Sequence, residues 1–446
     1  MTVNRSVLVS ITRLIARVRE PLYRNGYALV LSSATTSGLG LVYWILAARF
    51  YTTEVVGLNT AMLSVMMFLG GAAQFNLVNV LNRFLPRAGQ DTHRLISYVY
   101  LVSLIASLAF SLIYIFGINI WSPALGFLAK NSLTILGFTL ATVTWCIFAL
   151  QDGALTGLRQ ATWVPIENTV FALAKILLLV VFSSVLPGYG VFASWTISVA
   201  LALLPINILI FRRLIPQHVQ ITEGQSIPIV PAQIVKYVSN DYLGYLLWMA
   251  MTTLLPILVV QRIGPEATAY YYFCETIAYS LYLISRNMGM SLITEAALDP
   301  AKLNAYSYQA LIGTAHLLVP VVAFMVIGAP YILRLFGKDY AVEGTSLLRL
   351  LCLSALPNII TSLFTSVARV QKRMTAIVVM LVSLCSLILV LSYVLLGVFG
   401  ITGIGIAWLA GQTVIAGILL LTEFRGILSI VPQGLQMGGS RDSGAH

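Results

Sequence analysis

The sequence predicts an all-α, polytopic membrane protein with twelve membrane-spanning helices. Hydrophobic residues make up 59% of its 446 residues and charged residues only 9%, and no soluble fold could cover such a chain with polar surface. Apolar runs of about 20 residues, the length that crosses a hydrocarbon core of roughly 30 Å, recur along the whole chain. The predicted spans are 28–48, 56–79, 95–117, 132–153, 163–185, 191–211, 237–259, 269–292, 307–328, 346–367, 375–396 and 402–421.

The two halves of the chain share a pattern of charged residues at the ends of their spans, which indicates an internal duplication. Glu54 and Glu266 open spans two and eight 212 residues apart, Arg159 and Arg369 follow spans four and ten 210 apart, and Arg212 and Arg425 follow spans six and twelve 213 apart. Because each half has an even number of spans, both start on the same side of the membrane. We therefore expect a parallel repeat of two six-helix bundles with a cavity between them, which is typical of secondary transporters.

The distribution of Lys and Arg orients the chain. With the N-terminus in the cytoplasm, the inner segments hold 18 of the 26 Lys and Arg residues and the outer loops hold 6, as the positive-inside rule requires. We expect a multi-pass protein of the cell membrane with both termini cytoplasmic. Its basic loops face anionic membrane lipids, which accounts for most of the net charge of +11. Nothing indicates a nucleic-acid partner.

The domain boundaries follow from these spans. Residues 1–24 are expected to form an amphipathic segment in the inner interface, because apolar residues recur there at helical spacing while Arg13 and Arg17 lie on another side. The first bundle is predicted over 25–211, a cytoplasmic linker over 212–236, the second bundle over 237–425 and a tail over 426–446. The linker contains three prolines and is expected to be flexible, so that one half can rock against the other.

Several chemistries have no support in the sequence. The four cysteines lie within predicted spans and imply neither a disulfide nor a metal site. The chain lacks the G-x-x-x-x-G-K-[ST] loop of nucleotide hydrolases. No outer loop pairs two carboxylates, as a membrane-embedded glycosyltransferase would be expected to do. We therefore expect a protein that is not an enzyme and has no cofactor.

A polar stripe on span eight is the strongest candidate site. Its members are Tyr272, Glu275, Tyr279, Tyr282 and Arg286. Their spacing of 3, 4, 3 and 4 residues confines them to one face about 80° wide. Such a stripe is costly against lipid, so we expect it to line a wet cavity that binds substrate. A buried structural network that holds span eight to its neighbours is the alternative.

Spans seven and one, which are equivalent in the repeat, carry comparable faces. Span seven has Asp241, Tyr245 and Trp248, and span one has Ser33, Thr36 and Trp44. Both faces are expected to turn toward the same cavity. Small-residue helix packing is an equal alternative for the hydroxyls of span one. A solvated carboxylate at the start of a helix is an equal alternative for the acid of span seven.

Span five places a lysine near the middle of the bilayer. Lys175 lies too deep to reach the interface and needs an anionic partner or a water-filled lumen. Glu167, eight residues earlier, or another carboxylate could neutralise it. Lys175 and Arg286 are the two deepest bases, and both could donate charge-assisted hydrogen bonds to phosphate oxygens. A lipophilic cation would instead need a deep carboxylate, for which Glu275 is the candidate.

Four short motifs resemble those of polysaccharide-export flippases. They are Leu46-Ala47-Ala48-Arg49-Phe50-Tyr51, Glu54-Val55-Val56-Gly57, Asn82-Arg83-Phe84-Leu85-Pro86 and Leu155-Thr156-Gly157-Leu158-Arg159. These flippases are the Wzx-type branch of the multidrug/oligosaccharidyl-lipid/polysaccharide (MOP) exporter superfamily. The resemblance implies a MATE-like fold, alternating access, and translocation of an isoprenoid-diphosphate-linked oligosaccharide for surface polysaccharide synthesis. It also implies polysaccharide polymerase or glycosyltransferase partners.

Two other functions stay open at this point. A cation-coupled multidrug or small-molecule antiporter of the same superfamily would use Glu275 and Asp241. Span one lacks the acidic residue that such exporters often carry there, which weakens this alternative and leaves the coupling ion, proton or sodium, undetermined. A non-transporting scaffold of a polysaccharide-synthesis complex would keep the duplication but need no polar lumen.

Overall fold

The computed structural model describes residues 38–222 and 231–424. The predicted N-terminal segment, Ser33, Thr36, the predicted C-terminal tail and part of the predicted linker lie outside these residues. The long helices are α1 Gly38–Phe50, α2 Thr53–Ala73, α3 Thr92–Phe116, α4 Ser132–Gly157, α5 Trp163–Val185, α6 Gly190–Leu209, α7 Pro231–Arg262, α8 Pro265–Leu298, α9 Leu303–Arg334, α10 Lys338–Val370, α11 Met374–Phe399 and α12 Thr402–Thr422.

The chain is a multi-pass membrane protein. Within its described part, which contains no strand, ten helices are long and apolar enough to cross a membrane: α2 to α7 and α9 to α12. Helix α8 is the longest of all, but its polar stripe interrupts its apolar surface. Helix α1 is described only from Gly38 onward. The count of ten therefore falls short of the predicted twelve at these two helices.

Two turns in the backbone have the same geometry. After α4, the amide of Gln160 donates to Leu155 O (2.8 Å) and that of Arg159 to Thr156 O (3.0 Å). After α10, Arg373 donates to Ala368 O (2.8 Å) and Lys372 to Arg369 O (3.1 Å). Each is a Schellman turn whose left-handed residue is not glycine, with φ of 60° at Arg159 and 59° at Lys372. These residues are 213 apart, so Arg159 is equivalent to Lys372 and not to Arg369.

Two boundaries differ from the predicted spans. The predicted span 56–79 ends at Ala73, because Phe75 and Asn76 take φ of 48° and 59° and interrupt the helix; a short helix, Leu77–Phe84, follows. Helix also enters the predicted linker from both sides. A π-helical turn, Ile210–Leu214, continues α6 into the helix Ile215–Ile221, and α7 begins at Pro231.

Contacts between the halves centre on α2, which packs against both α7 and α8. At the end of the molecule that the basic residues place outside, a Cβ on Gly57 of α2 would lie 1.7 Å from Pro265 O of α8. Gly264, with φ of 128°, makes the tight turn that brings α8 to this position. Nearer the inner end, Tyr242 Oη of α7 donates to Ala72 O of α2 (2.9 Å).

Further contacts close the outer end. Arg49, at the end of α1, donates through Nη2 to Leu335 O (3.1 Å) and Arg334 O (3.4 Å) at the carboxyl end of α9. A cation suits this position, because the last carbonyls of a helix carry partial negative charge. Gln261 at the end of α7 donates to Trp121 O of the first half. The outer ends of the two halves are thus joined through polar contacts and close helix packing.

Candidate functional site

A cavity in the second half brings together much of the predicted stripe. It lies between α7, α8, α10 and α12. Its lining residues are Trp248, Thr252, Glu275, Ala278, Tyr279, Tyr282, Leu351 and Trp408. Aromatic rings dominate this wall, and Glu275 is its one charged group. The wall therefore offers aromatic faces beside a carboxyl group.

Tyr282 is fixed in place by its neighbours. Its hydroxyl and the Ser354 hydroxyl on α10 lie 2.7 Å apart, and Ser354 Oγ donates its proton to Leu351 O (2.6 Å). Tyr282 is therefore the donor in the bond to Ser354. Its ring lies 5.8 Å from Trp408 and 6.5 Å from Trp248. These contacts make Tyr282 a rigid part of the cavity wall.

Glu275 and Tyr279 both line this cavity, and neither side chain is hydrogen-bonded to another described residue. The Thr252 hydroxyl donates to Met249 O of its own helix (3.1 Å). No hydrogen bond or ion pair joins the carboxylate of Glu275 to any residue that the structure describes. A carboxylate inside a membrane protein is costly unless it is protonated or paired with a cation. Glu275 is thus a candidate for proton or cation binding.

Tyr272, one turn nearer the outer end of α8, lies at the junction of the halves. Its ring is 5.0 Å from Trp44 of α1 and makes no part of the cavity wall. Trp44, which is buried, also contacts Phe273 of α8 (5.4 Å) and Trp195 of α6 (5.8 Å). Trp44 therefore connects the aromatic packing of one half to that of the other.

Tyr245 also belongs to the junction. A Cβ on Gly71 of α2 would lie 3.1 Å from Tyr245 Oη, so this phenol rests against the other half rather than in the cavity. Asp241 is part of helix α7, but its side chain lies outside the described part of the structure. The predicted face of span seven is thus divided between the cavity, which takes Trp248, and the junction.

Lys175 is buried in an aromatic cage. Its Nζ lies 4.0 Å from the ring centroid of Trp195 on α6, 4.7 Å from Tyr43 on α1 and 4.9 Å from Phe171 on α5. Such rings stabilise a desolvated cation by their quadrupoles, by about 2 kcal/mol or more where water is excluded. The described residues offer Lys175 no ion pair, and Glu167 is bonded elsewhere, to Gln151. The pairing of Lys175 with Glu167 that the sequence allowed is absent.

Arg286 lies apart from both groups. It is exposed on α8 and does not line the cavity. It is 21 residues from the start of α8, or about 32 Å along the axis, and therefore near the edge of the hydrocarbon core opposite to that start. Lys175 is 12 residues from the start of α5, about 18 Å, and near the middle of the bilayer. The two predicted bases thus lie at different depths and in different halves.

Two tryptophans that the sequence did not predict as site residues complete these sites. Trp195 closes the cage over Lys175, and Trp408 closes the cavity beside Tyr282. They are 213 residues apart, the same spacing as the two Schellman turns. Each lies on the last helix of its half. An internal alignment at this spacing would have identified them as a repeated feature.

Comparisons with known proteins identify the fold. No family model and no curated protein matches this sequence. Among solved structures, an inward-facing multidrug resistance MATE family transporter of the MOP superfamily is similar with a TM-score of 0.65 and 15% identity, over 88% of this chain and 96% of that chain. The lipid II flippase MurJ, in an inward closed conformation, is similar with a TM-score of 0.68 and 13% identity, over 94% of both chains.

A third similar structure is a MOP superfamily transporter from Pyrococcus furiosus, with a TM-score of 0.60 and 14% identity over 90% of this chain and 94% of that chain. At such identities the likeness establishes the fold. The chain has the all-helical fold of MOP superfamily transporters, which include both drug exporters and a lipid flippase.

Proposed function

We propose that this protein is a flippase of the cell membrane that carries an isoprenoid-diphosphate-linked oligosaccharide from the inner to the outer leaflet by alternating access. In this proposal twelve helices form two six-helix bundles over 25–211 and 237–425, with both termini in the cytoplasm. The oligosaccharide supplies a surface polysaccharide pathway. The observation that carries the proposal is Lys175, a buried cation with no acidic partner among the described residues.

The position of Lys175 relates it to the junction of the halves. Trp195 of its cage packs on Trp44, and Trp44 packs on Tyr272 of the second half. One aromatic layer therefore separates the ammonium from the surface along which the halves meet. When α1 and α8 separate, the Trp44 ring becomes available for stacking on a sugar, and Lys175 becomes available to a diphosphate.

Arg286 extends this path toward the cytoplasm. It lies near the inner membrane edge, exposed, with no ion pair to another described residue. A lipid-linked diphosphate of the inner leaflet would lie at this depth. A guanidinium binds phosphate oxygens with two parallel hydrogen bonds, so Arg286 suits the entry of the headgroup and Lys175 its deeper position.

Contacts at the outer end supply the closed gate that alternating access requires. Arg49, Gly57 and Gln261 join the halves at that end. Separating them would open the path outward, while the α2–α7 contact through Tyr242 would then serve as the inner closure. The similarity to an inward closed lipid II flippase over 94% of both chains supports the same cycle.

A cation-coupled antiporter is the second candidate, and the unpaired carboxylate of Glu275 favours it. An aromatic cavity beside a carboxyl group suits a lipophilic cation. The unpaired Lys175 would repel a cation. This observation places the flippase first.

Direct binding tests the role of Lys175. The affinity of purified protein for an isoprenoid-diphosphate-linked sugar is measured for wild type, Lys175→Met and Lys175→Arg. Loss of a charge-assisted interaction of about 1.5–3 kcal/mol predicts a roughly 10- to 150-fold weaker affinity for Lys175→Met and partial retention for Lys175→Arg. Lys372→Met, which changes an exposed turn lysine, is the matched control. Unchanged affinity in a folded Lys175→Met protein would remove the main support for the proposal.

A further inference from the structure

An arginine of the second half lies on a surface that faces the membrane. Helix α9 packs mainly against α8 and α10, and its remaining side exposes the large side chains of Phe324, Ile327 and Tyr331. Arg349 of α10 is also exposed, and it donates through Nε to Val326 O of α9 (3.0 Å). A guanidinium thus lies beside a helix face that is apolar enough to contact lipid.

The carbonyl that Arg349 contacts has lost its helical partner. Pro330 lies inside α9, four residues after Val326, and has no amide hydrogen to donate to Val326 O. Arg349 Nε supplies the missing hydrogen bond and is thereby fixed in place. Its two Nη groups, which form a planar fork, make no hydrogen bond or ion pair with another residue that the structure describes.

Helix lengths place this fork near one edge of the hydrocarbon core. Val326 is 8 residues before the end of α9, about 12 Å along the axis, and Arg349 is 11 residues after the start of α10, about 17 Å. Both helices are about 50 Å long and extend roughly 10 Å beyond a core of about 30 Å at each end. Helical side chains lean toward the N-terminus of their helix, so Arg349 leans toward the nearby headgroup layer.

The corresponding surface of the first half carries no charge. At the spacing of the two Schellman turns, Arg349 and Val326 correspond to Leu136 of α4 and Ile113 of α3, which are 54% and 57% exposed. Apolar side chains therefore face the membrane at these positions in the first half. A charge at such a position costs free energy unless an anion neutralises it, so Arg349 is the expectation for a binding site.

We infer that Arg349 binds the phosphate of one anionic phospholipid where α9 and α10 meet on the membrane-facing surface. Lipid phosphates are the anions of the headgroup layer, and the guanidinium fork matches two phosphate oxygens. In the proposed orientation this lipid belongs to the outer leaflet. The site is separate from Lys175 and Arg286 and does not depend on the proposed flippase activity.

Native mass spectrometry of the purified protein in detergent tests this inference, because it counts the lipids that stay bound. The probes are phosphatidylglycerol, diacylglycerol with the same acyl chains but no phosphate, and inorganic phosphate. Arg349→Leu reproduces the residue of the first half. Arg349→Gln keeps an N–H group for Val326 O but has no charge, and Arg349→Lys keeps the charge without the fork. Lys338→Met, which removes an exposed charge at the start of α10, is the matched control.

Loss of a charge-assisted interaction should weaken the affinity for one phosphatidylglycerol roughly 10- to 150-fold in Arg349→Leu and Arg349→Gln, so that each retains one lipid fewer than wild type. Arg349→Lys should keep part of this affinity and Lys338→Met all of it, and diacylglycerol should not compete. Wild-type retention in Arg349→Gln would overturn the inference and leave Arg349 as a cap for Val326 O. Competition by diacylglycerol would show that the acyl chains are bound instead of the phosphate. Displacement by inorganic phosphate would assign the site to a free anion and contradict a lipid.

Discussion

Replacing Gly57 with alanine should force the two halves apart at their outer ends. An added Cβ would lie 1.7 Å from Pro265 O and 2.4 Å from Pro265 C, both backbone atoms that cannot rotate away. Ordinary contact begins near 3.4 Å, so the starts of α2 and α8 must separate by up to 1.7 Å (3.4 minus 1.7). The closed contact between the halves cannot be kept at that separation.

The cost sets the size of the effect. Forcing a methyl group into a packed contact typically costs about 1–3 kcal/mol, which corresponds to a roughly 5- to 150-fold change in the ratio of two conformations. In the proposed cycle α2 and α8 are apart in the outward-open conformation, which therefore escapes this cost. Gly57→Ala should therefore raise the population of the outward-open conformation by about that factor, up to full occupancy.

Thiol labelling from the outside measures this population. Thr60, fully buried one turn below Gly57 on α2, is replaced with cysteine as a reporter. The four native cysteines are buried and contribute little background. A membrane-impermeant thiol reagent should label Thr60→Cys at a higher rate when Gly57→Ala is also present. Gly137→Ala is the matched control, since a Cβ there meets nothing within 4 Å.

The refuting result is equally specific. If the Gly57→Ala protein labels at the wild-type rate and melts at the wild-type temperature, then α2 and α8 do not hold the outer end closed. The contact in the structure would then have no part in gating, and the inference of alternating access from it would fail.

Two other predictions concern the lining of the cavity and the ion pair between Arg373 and Glu423. Tyr279→Cys should react with a small water-soluble thiol reagent because it lines the cavity, whereas Leu281→Cys should not because that position is 2% exposed; the opposite order would place the cavity on another face of α8. Arg373, which precedes α11, makes two hydrogen bonds of 2.8 Å to Glu423 at the end of α12, and these hold the pKa of Glu423 below its ordinary 4.5. Their stabilisation is therefore present above pH 4.5 and lost below it, and Glu423→Gln should remove that part of the acid dependence of the melting point; an unchanged dependence would show that the pair contributes nothing.

The sequence was sufficient to predict an all-helical, multi-pass membrane protein, because long apolar runs are strong, local signals. Residue identity pairs Arg159 with Arg369, whereas the backbone pairs Arg159 with Lys372, since both take the left-handed position of the same turn. Glycine is the residue that usually indicates a left-handed position. Neither Arg159 nor Lys372 is glycine, so the sequence could not reveal this turn.

The candidate site was predicted in part. Periodicity placed Glu275, Tyr279 and Tyr282 on one face of span eight, and all three line the cavity. Periodicity shows which residues share a helix face, but not which neighbouring helix each of them contacts. It could not distinguish Tyr272, which contacts Trp44 of α1, from the residues that line the cavity. The cage around Lys175 comes from three helices distant in sequence, and only the tertiary structure brings them together.

The measurement that tests the account most directly is transport by protein reconstituted in liposomes, with a labelled isoprenoid-diphosphate-linked oligosaccharide and a cationic dye followed in parallel. The account predicts movement of the lipid-linked sugar, a greater loss of that movement in Lys175→Ala than in Glu275→Gln, and little dye transport. Dye transport driven by protons or sodium and abolished by Glu275→Gln, with no movement of the lipid-linked sugar, would contradict the flippase and establish the antiporter in its place.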